Sequence, residues 1–184
     1  MKFGHQHADL DSIDRHILRL MQENCRLPLA KIGEQVGLSA PSVNERVRKL
    51  EESGVITGYH AVLDARLVGQ DVTAFIGVSI GHPKGIGRFE DFVEDLDDVL
   101  ECHHVTGGHT LLIKVKTTDT SSLEELIRRL RSIEGVVRTE TMIVLSTHTE
   151  RLHIPLEDDE EQPAPAPRRG RRSAEKAAVL LKGA

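Results

Sequence analysis

Residues 27–54 contain two short amphipathic segments joined by a turn at Gly37, and this stretch constrains the fold more than any other. In the second segment, apolar residues recur at positions i, i+4 and i+7, namely Val43, Val47 and Leu50. That spacing is typical of a helix that buries one face. Two such helices around a tight turn predict a helix-turn-helix, whose second helix enters the major groove of duplex DNA.

The exposed face of that second helix is predicted to contact DNA. We expect Ser42, Glu45 and Arg48 to read base edges, because hydroxyl, carboxylate and guanidinium groups match the donors and acceptors of the major groove. Arg46 and Lys49 are expected to bind phosphates. An ordinary solvated helix face is the alternative interpretation. The predicted DNA-binding set is Ser39, Pro41, Ser42, Glu45, Arg46, Arg48 and Lys49.

The composition restricts the kind of nucleic acid that the chain can bind. The formal net charge is −5 at pH 7, so affinity for DNA has to come from a local basic patch. Aromatic residues make up 3% of the chain and tryptophan is absent, which argues against stacking on single strands and favours duplex DNA. The two cysteines match no metal spacing, and no apolar run approaches about 18 residues. We expect a cytoplasmic protein associated with the nucleoid.

Residues 1–64 are predicted to form a DNA-binding domain of three helices. The first helix runs from Asp11, its N-cap, to about Asn24. The second is expected over residues 29–36, and the third begins after the N-cap Ser39. The β-prone residues 55–63 are expected to form a small wing and a connecting strand.

Residues 65–154 show strand patterns alternating with helical ones. Strands are predicted over 72–80, 99–106, 109–117 and 137–146, and helices over 86–96 and from a capping box at Ser121–Glu124 to Ser132. The order β-α-β-β-α-β predicts a ferredoxin-like module with helices on one face of an antiparallel sheet. The fold class is therefore α+β, a winged helix-turn-helix domain followed by a ferredoxin-like effector and oligomerisation domain.

One face of the predicted sheet has no helix to cover it. The third and fourth strands carry apolar residues on both sides, for example Leu111 and Leu112, or Ile143 and Met142. A second subunit is the simplest cover, and a monomer with a mildly apolar face is the alternative.

Residues 155–184 differ in composition from the rest of the chain. An acidic run, Glu157–Glu161, is followed by three prolines and then by Arg168-Arg169-Gly170-Arg171-Arg172. These residues cannot build a packed core, which predicts a disordered tail. The arginines could anchor the protein to DNA through the minor groove, or the tail could simply aid solubility.

Several sequence blocks occur together in the order found in one family of regulators. From about Leu10 to Ile154, the chain resembles the Lrp/AsnC, or feast/famine, transcriptional regulators. The blocks that carry the resemblance are residues 10–18, 36–39, 45–51, 54–59 and 101–107. The resemblance implies a homodimer, often assembled into octamers, that binds a small effector, typically an amino acid, at subunit interfaces. Paired recognition helices would then lie about 34 Å apart on a roughly palindromic site.

The resemblance also places the effector loop on Thr106, Gly107, Gly108, His109 and Thr110. In the common family pattern, acidic residues and an aromatic residue follow the first glycine. This chain has Gly108, His109, Thr110 and Leu111 there instead, so no carboxylate stands in the loop to pair with an effector ammonium group.

Metal binding and catalysis are not indicated. Strand alternation places Cys102 and His104 on one face and His103 on the other, so these neighbours cannot converge on one ion. No nucleophile, base and orienting group recur at a motif spacing. We therefore expect no enzyme activity, no cofactor and no metal. The alternative function is a nucleoid-associated architectural protein, or a regulator that needs no effector.

Overall fold

The computed structural model describes residues 8–156, and the predictions for the tail from residue 157 lie outside the described residues. Three helices come first, followed by a short 3-10 turn, and then four strands with two further helices. In chain order the helices are α1 (Ser12–Glu23), α2 (Leu29–Val36), α3 (Ala40–Glu52), α4 (Lys84–Glu94) and α5 (Thr120–Arg131). The strands are β1 (Val72–Ile80), β2 (Val99–His104), β3 (Leu111–Thr117) and β4 (Val136–Ile143).

The ends of the first three helices follow the predicted capping residues. The Asp11 side chain accepts a hydrogen bond from the Asp14 backbone N–H, and the Asp14 side chain accepts one from the Asp11 backbone N–H. This reciprocal capping box satisfies two amides at the start of α1. Gly37 ends α2 at φ 70°, a left-handed conformation that favours glycine. Ser39 caps α3 by accepting from the Ser42 backbone N–H.

The expected wing is wrong, because the structure has no strand over residues 55–63. The backbone N–H groups of Val55 and Ile56 both donate to the Leu50 carbonyl, at 2.9 and 3.0 Å. These amides close the end of α3 and are not available to pair with a strand. The Ile56 side chain packs against the core of the helices, which turns the chain inward at this point.

The β-α-β-β-α-β order is confirmed, and the four strands form an antiparallel sheet in the order β2-β3-β1-β4. The turn between β2 and β3 spans residues 105–110, so both strands are shorter than predicted. The capping box expected at Ser121 is also wrong. Asp119 is the N-cap of α5, because its carboxylate accepts hydrogen bonds from both the backbone N–H and the hydroxyl of Ser122.

The described residues form two compact units, residues 8–59 with 152–156 and residues 60–151. The first unit has a small core of Ile17, Ile32, Val43 and Val47. The second has a larger core between α4, α5 and one face of the sheet, and the opposite face of the sheet carries no helix. The buried residues of the second core are Ala74, Ile76, Val78, Phe89, Val93, Leu96, Leu111, Ile113, Val115, Leu123, Leu126 and Leu130.

A helix that spans a lipid bilayer needs about 20 predominantly apolar residues. Between residues 8 and 156, no helix combines the length and the apolar character needed to cross a membrane.

Candidate DNA-binding surface and effector loop

The side of α3 that is buried in the structure is the side predicted from the apolar spacing. The opposite side of the helix therefore faces outward. Val43, Val47 and Leu50 are buried, with 0%, 7% and 4% of their surface exposed. Glu45 and Lys49 lie on the outward side and are half exposed or more. The orientation predicted from the apolar spacing therefore holds in the folded unit.

The N-terminal end of α3 presents small polar groups. The hydroxyls of Ser39 and Ser42 lie 2.8 Å apart, and the Ser42 backbone N–H donates to Ser39 Oγ at 3.3 Å. Pro41 lies in the first turn, where its missing N–H leaves no helical hydrogen bond unmade. A shallow concave surface runs from this end along the helix. Among its lining residues are Pro41, Ser42, Glu45, Arg46 and Lys49.

Arg48 is held between two carboxylates of its own helix. Its guanidinium lies 2.7 Å from Glu45 Oε1 and 2.5 Å from Glu52 Oε1. The hydrogen bond from Arg48 lowers the pKa of Glu45, which favours the ionised form of this carboxylate. Because all three groups are exposed, these pairs add little to stability and can exchange for other partners.

Arg46 is placed differently from the other cations of α3. It lies on the flank of the helix, about 40° from the buried stripe at about 100° per residue. Its Nη1 atom is 2.7 Å from Asp11 Oδ2 and 2.7 Å from Asp14 Oδ1, and its side chain is 30% exposed. Arg46 thus connects α3 to the capping box of α1, and both carboxylates raise the pKa of its guanidinium.

The effector loop carried over from the family resemblance lies between β2 and β3. The Val105 N–H donates to the Thr110 carbonyl at 3.3 Å, which closes the loop. Thr110 also joins it to β1, because the Thr110 N–H donates to the Val78 carbonyl and the Ile80 N–H donates to Thr110 Oγ1. Residues 106–108 are exposed, so their backbone groups face solvent.

His109 lies on the uncovered face of the sheet, directly over Gly77. A Cβ atom at residue 77 would lie 2.5 Å from the imidazole ring, so only glycine leaves room for it. His109 Nδ1 is buried and has no hydrogen-bond partner. His109 Nε2 lies 3.8 Å from Glu140 Oε2, and Glu140 in turn accepts a hydrogen bond from Arg138.

Glu140 was missed by the sequence analysis. It lies on β4, opposite Gly77 in the register of the sheet, and this register brings a carboxylate beside the loop. A glycine inside a strand is a known sign of close approach by another group. Gly77 was therefore the one sequence signal for this arrangement.

The uncovered sheet face also contains large apolar side chains. Phe75 and Leu112 are half-buried there, and Met142 is 48% exposed. Phe75 and Met142 are paired across β1 and β4, so their side chains share this face. Phe75 and Lys114 also line a broad groove that is bordered by residues 62–66 and 144–150.

The histidines near the effector loop are engaged with carboxylates. His103 lies 3.1 Å from Glu101, and His104 lies 2.6 Å from Glu90. Strand alternation keeps these two histidines on opposite faces of β2. Between residues 8 and 156, no group of three or more potential ligands comes together in a geometry that would hold a metal ion.

A helix-turn-helix unit joined to a ferredoxin-like module defines a class of two-domain transcriptional regulators. Two family models match the chain, the AsnC-type helix-turn-helix domain over residues 10–51 and the Lrp/AsnC ligand-binding domain over residues 73–154. The chain therefore belongs to the Lrp/AsnC family of transcriptional regulators.

Individual relatives agree with this assignment. The chain is 33% identical over 150 residues to the HTH-type transcriptional regulator FL11 of Pyrococcus horikoshii, covering 80% of this chain and 97% of the relative. The structure of Escherichia coli AsnC superposes with a TM-score of 0.74 at 32% identity, covering 79% of this chain and 99% of AsnC. A Neisseria meningitidis regulator in complex with L-methionine gives a TM-score of 0.76 at 30% identity, covering 79% and 96%.

Proposed function

We propose that the protein is a homodimeric regulator that reads a specific duplex site with α3 and responds to an amino acid bound at the loop of residues 106–110. The observation that carries the proposal is the outward face of α3. It places two hydroxyls at the helix N-terminus, followed by Glu45, Arg48 and Lys49 on one accessible side. Such a protein would act on chromosomal DNA in the cytoplasm.

Arg48 would exchange its carboxylate partners for a base edge on binding. In the free protein, Glu45 and Glu52 hold its side chain extended along the helix. A guanine offers two acceptors, O6 and N7, that match the guanidinium in the same bidentate manner as a carboxylate. A site without guanine at that position offers no such pair of acceptors, so competition from the carboxylates would favour binding to the site that has guanine there.

Arg46 would act by positioning α3. Its guanidinium is already engaged with Asp11 and Asp14, so a phosphate contact would have to compete with two carboxylates at 2.7 Å. We therefore assign the phosphate contacts of α3 to Lys49 and to the exposed backbone and hydroxyl groups at its N-terminus.

The homodimer would be formed through the uncovered sheet face. Phe75, Leu112 and Met142 give that face an apolar centre, and Glu140, Arg138 and Lys114 give it a charged border. Such a patch on one protomer is complementary to the same patch related by a two-fold axis. A dimer would also present two copies of α3 to the two halves of a palindromic site.

The effector would be an α-amino acid held between the loop and β4. The relative from Neisseria meningitidis was solved with L-methionine, which is an amino acid of this class. Exposed backbone N–H groups of residues 106–108 would donate hydrogen bonds to its carboxylate, and Glu140 would accept hydrogen bonds from its ammonium group. Glu140 would thus supply the carboxylate that the loop itself lacks.

The DNA-reading role is tested by selecting duplexes from a random library with the full chain and measuring affinity for the selected site and its single-base variants. Arg48→Gln should lose about 10- to 100-fold on the selected site and lose discrimination at one base pair. Arg128→Gln is the control, because Arg128 is also an exposed arginine paired with two carboxylates of its own helix, Glu124 and Glu125 on α5. Equal loss on every sequence would make Arg48 a phosphate contact, and no selected site at all would overturn the proposal.

The effector role is tested by calorimetric titration of the twenty amino acids into the full chain. Glu140→Gln should weaken binding of the preferred amino acid by about tenfold or more, because a charged hydrogen bond is lost. Glu134→Gln removes an exposed carboxylate that pairs with Arg88 and should leave binding unchanged. Binding that is unaffected by Glu140→Gln would remove Glu140 from the site.

Footprinting separates this proposal from an architectural role. Protection of a few related sites supports a regulator, whereas uniform coating supports a protein that compacts DNA. Residues 8–59 carry eight acidic and seven basic side chains, which does not favour uniform coating by this unit.

A further inference from the structure

We propose that β4 is a self-association surface, on which the exposed edge of this strand pairs antiparallel with β4 of a second copy of the chain. The contact is centred on Thr139, and it joins Arg138 of each copy to Glu140 of the other. It lies along the edge of the sheet, not across the uncovered face, and it assumes neither DNA binding nor an effector. Combined with the proposed sheet-face dimer, it allows assembly beyond a dimer.

The outer edge of β4 has unpaired backbone groups. β4 is the last strand of the sheet and pairs only with β1. The Val144 N–H donates to the Thr73 carbonyl at 2.9 Å, and hydrogen-bonded pairs alternate along an antiparallel ladder. The even-numbered residues of β4 therefore direct their N–H and C=O groups toward β1, whereas Thr139 and Thr141 direct theirs away from it. Within residues 8–156, no group hydrogen-bonds to these outward N–H and C=O groups.

β4 lacks most of the features that protect an edge strand from pairing. Edge strands commonly carry proline, lysine or a bulge. β4 contains neither proline nor lysine, and five of its eight residues are the strand-forming types valine, threonine and isoleucine. The ladder with β1 is irregular between Ser79 and Ile80, which affects only the start of β4. Residues 138–143 keep a regular register and are open for pairing.

Charge selects one register for the pairing of two β4 strands. Because Thr139 and Thr141 carry the outward groups, the pair can be centred on residue 139, 140 or 141. Centring on 139 places Arg138 opposite Glu140 of the second copy, and this pair occurs twice. Centring on 140 places two Glu140 carboxylates opposite each other, which is unfavourable, and centring on 141 places Glu140 opposite Met142. The first register alone brings opposite charges together, at non-hydrogen-bonded positions where facing side chains lie closest.

The side chains around this centre suit a two-fold contact. Arg138 and Glu140 are exposed, and Arg138 Nη2 lies 2.8 Å from Glu140 Oε2 within one chain. A second copy adds a facing pair, so that four alternating charges form one network. On the opposite side of the strand, Thr139 faces Thr139 of the second copy, and threonine pairs stabilise neighbouring strands. A two-fold axis perpendicular to the sheet keeps the helices of both copies on one side, so the uncovered faces are free for the proposed dimer.

The contact is tested by disulfide trapping in the full chain with Cys25 and Cys102 changed to Ser, since both native cysteines are exposed. Thr139→Cys places two thiols at the axis, where paired Cα atoms lie about 5.5 Å apart, within the range of a disulfide. Thr141→Cys is the matched control, because it is also half-buried and on the same side of β4. The two copies of residue 141 would lie about 14 Å apart, beyond that range.

Mild oxidation with copper phenanthroline should therefore cross-link the Thr139→Cys protein at least about tenfold faster than the Thr141→Cys protein. Circular dichroism checks that both variants are folded. Equal rates for the two variants, or no cross-link through residue 139, would overturn the proposal.

The register is tested by exchanging charges in the Thr139→Cys protein. Arg138→Glu places four carboxylates around the axis and should slow cross-linking at least about tenfold. Adding Glu140→Arg exchanges the two charges and should restore the rate. Arg88→Glu, at an exposed arginine of α4 that pairs with Glu134, is the control and should leave the rate unchanged. A double variant as slow as Arg138→Glu alone, or an equal loss in the control, would overturn the pairing of Arg138 with Glu140.

Phe75→Lys separates this contact from the proposed sheet-face dimer. The edge joins one strand from each copy, so it is the weaker of the two contacts, and oxidation traps it even when sedimentation shows mostly monomers. The Thr139→Cys protein should still cross-link faster than the Thr141→Cys protein when Phe75→Lys is added to both. Loss of that difference would mean that the two copies of residue 139 meet through the sheet face, and it would overturn the edge contact.

Discussion

The two units of this protein use opposite ways of presenting a binding surface. The helix-turn-helix unit buries a small apolar core and directs polar side chains outward from α3, so its candidate site is complete within one chain. The unit of residues 60–151 buries one face of its sheet and leaves the other face open. On the open face, Phe75 is half-buried and Met142 is exposed. The candidate effector loop of this unit lies beside this open face, which we propose binds a second copy of the chain.

This difference determines which contacts each unit can lose or exchange without unfolding. Exposed ion pairs such as those of Arg48 contribute little to folding, so the first unit can exchange partners without unfolding. An open apolar face contributes to stability only after it is covered, so the proposed effector site of the second unit would depend on the proposed dimer. Substitutions in the two units should therefore have separate effects.

Truncation in the larger core should damage only the second unit. Phe89 is fully buried between α4 and the sheet, so Phe89→Ala should lower the free energy of unfolding by about 3–5 kcal/mol. Hydrogen exchange should show lost protection in the strands, α4 and α5, with the helices of the first unit unchanged. Phe92→Ala, at a partly buried position beside Arg129, should cost clearly less. Equal loss of protection in α1 to α3 would mean that the units do not fold separately.

A charge on the uncovered sheet face should dissociate the proposed dimer. Phe75→Lys places two ammonium groups near the two-fold axis, and we expect the dimer dissociation constant to rise at least about 100-fold, or about 2.7 kcal/mol. Sedimentation equilibrium measures this, and circular dichroism should show an intact fold. Ser121→Lys, on the exposed side of α5, is the control and should remain dimeric. A Phe75→Lys protein that stays dimeric would assign the interface to another surface.

Removal of Arg46 should destabilise the first unit. Arg46→Met keeps the aliphatic length but loses two charged hydrogen bonds to Asp11 and Asp14, which should cost about 1–2 kcal/mol in urea unfolding. Lys31→Met removes an exposed ion pair with Glu34 and should change stability little. If Arg46→Met leaves stability unchanged and instead reduces the salt slope of DNA binding, Arg46 is a phosphate contact.

The capping box should give the first unit a weak acid sensitivity. The backbone N–H of Asp14 lowers the pKa of Asp11 from its ordinary value of 3.8, and Arg46 adds to this effect. A lowered folded-state pKa means that the stabilisation is complete above about pH 4 and disappears as the pH falls through the lower folded value.

At neutral pH, Asp11→Ala should therefore cost about 1 kcal/mol, and the difference from wild type should vanish in strong acid. Thermal unfolding from pH 7 to pH 2 measures both. Asp9→Ala removes a nearby exposed carboxylate that makes no cap and serves as the control. A difference that persists at pH 2 would exclude the charged form of Asp11 as the cause.

Much of the fold could be predicted because its signals are local. The apolar spacing of α3, the left-handed glycine at residue 37 and the alternation in β1 each depend on a few consecutive residues. The absence of the predicted wing could not be inferred in the same way. Residues 55 and 56 have strand-forming side chains, but their amides are used to close α3.

The residues of the candidate sites differ in the same way, because some positions follow from local geometry and others from contacts between distant segments. The direction in which Glu45, Arg48 and Lys49 point follows from helix geometry alone. The partners of Arg46 are 32 and 35 residues away in sequence, and no local pattern selects them over a phosphate. The carboxylate beside the effector loop comes from another strand, through the pairing of Gly77 with Glu140.

By itself, the amino-acid sequence determined the helices and strands, the helix-turn-helix, the β-α-β-β-α-β order and the outward face of α3. The reason is that burial periodicity and capping act over one or two turns of chain. Only the tertiary structure decided that Arg46 binds α1, that His109 lies on Gly77 beside Glu140, and that Gln22 holds the chain at Ile154. These contacts join segments that are distant in sequence. An exposed polar group has many possible partners, and local sequence patterns do not determine which one it contacts, because only the folded chain brings the partners close to it.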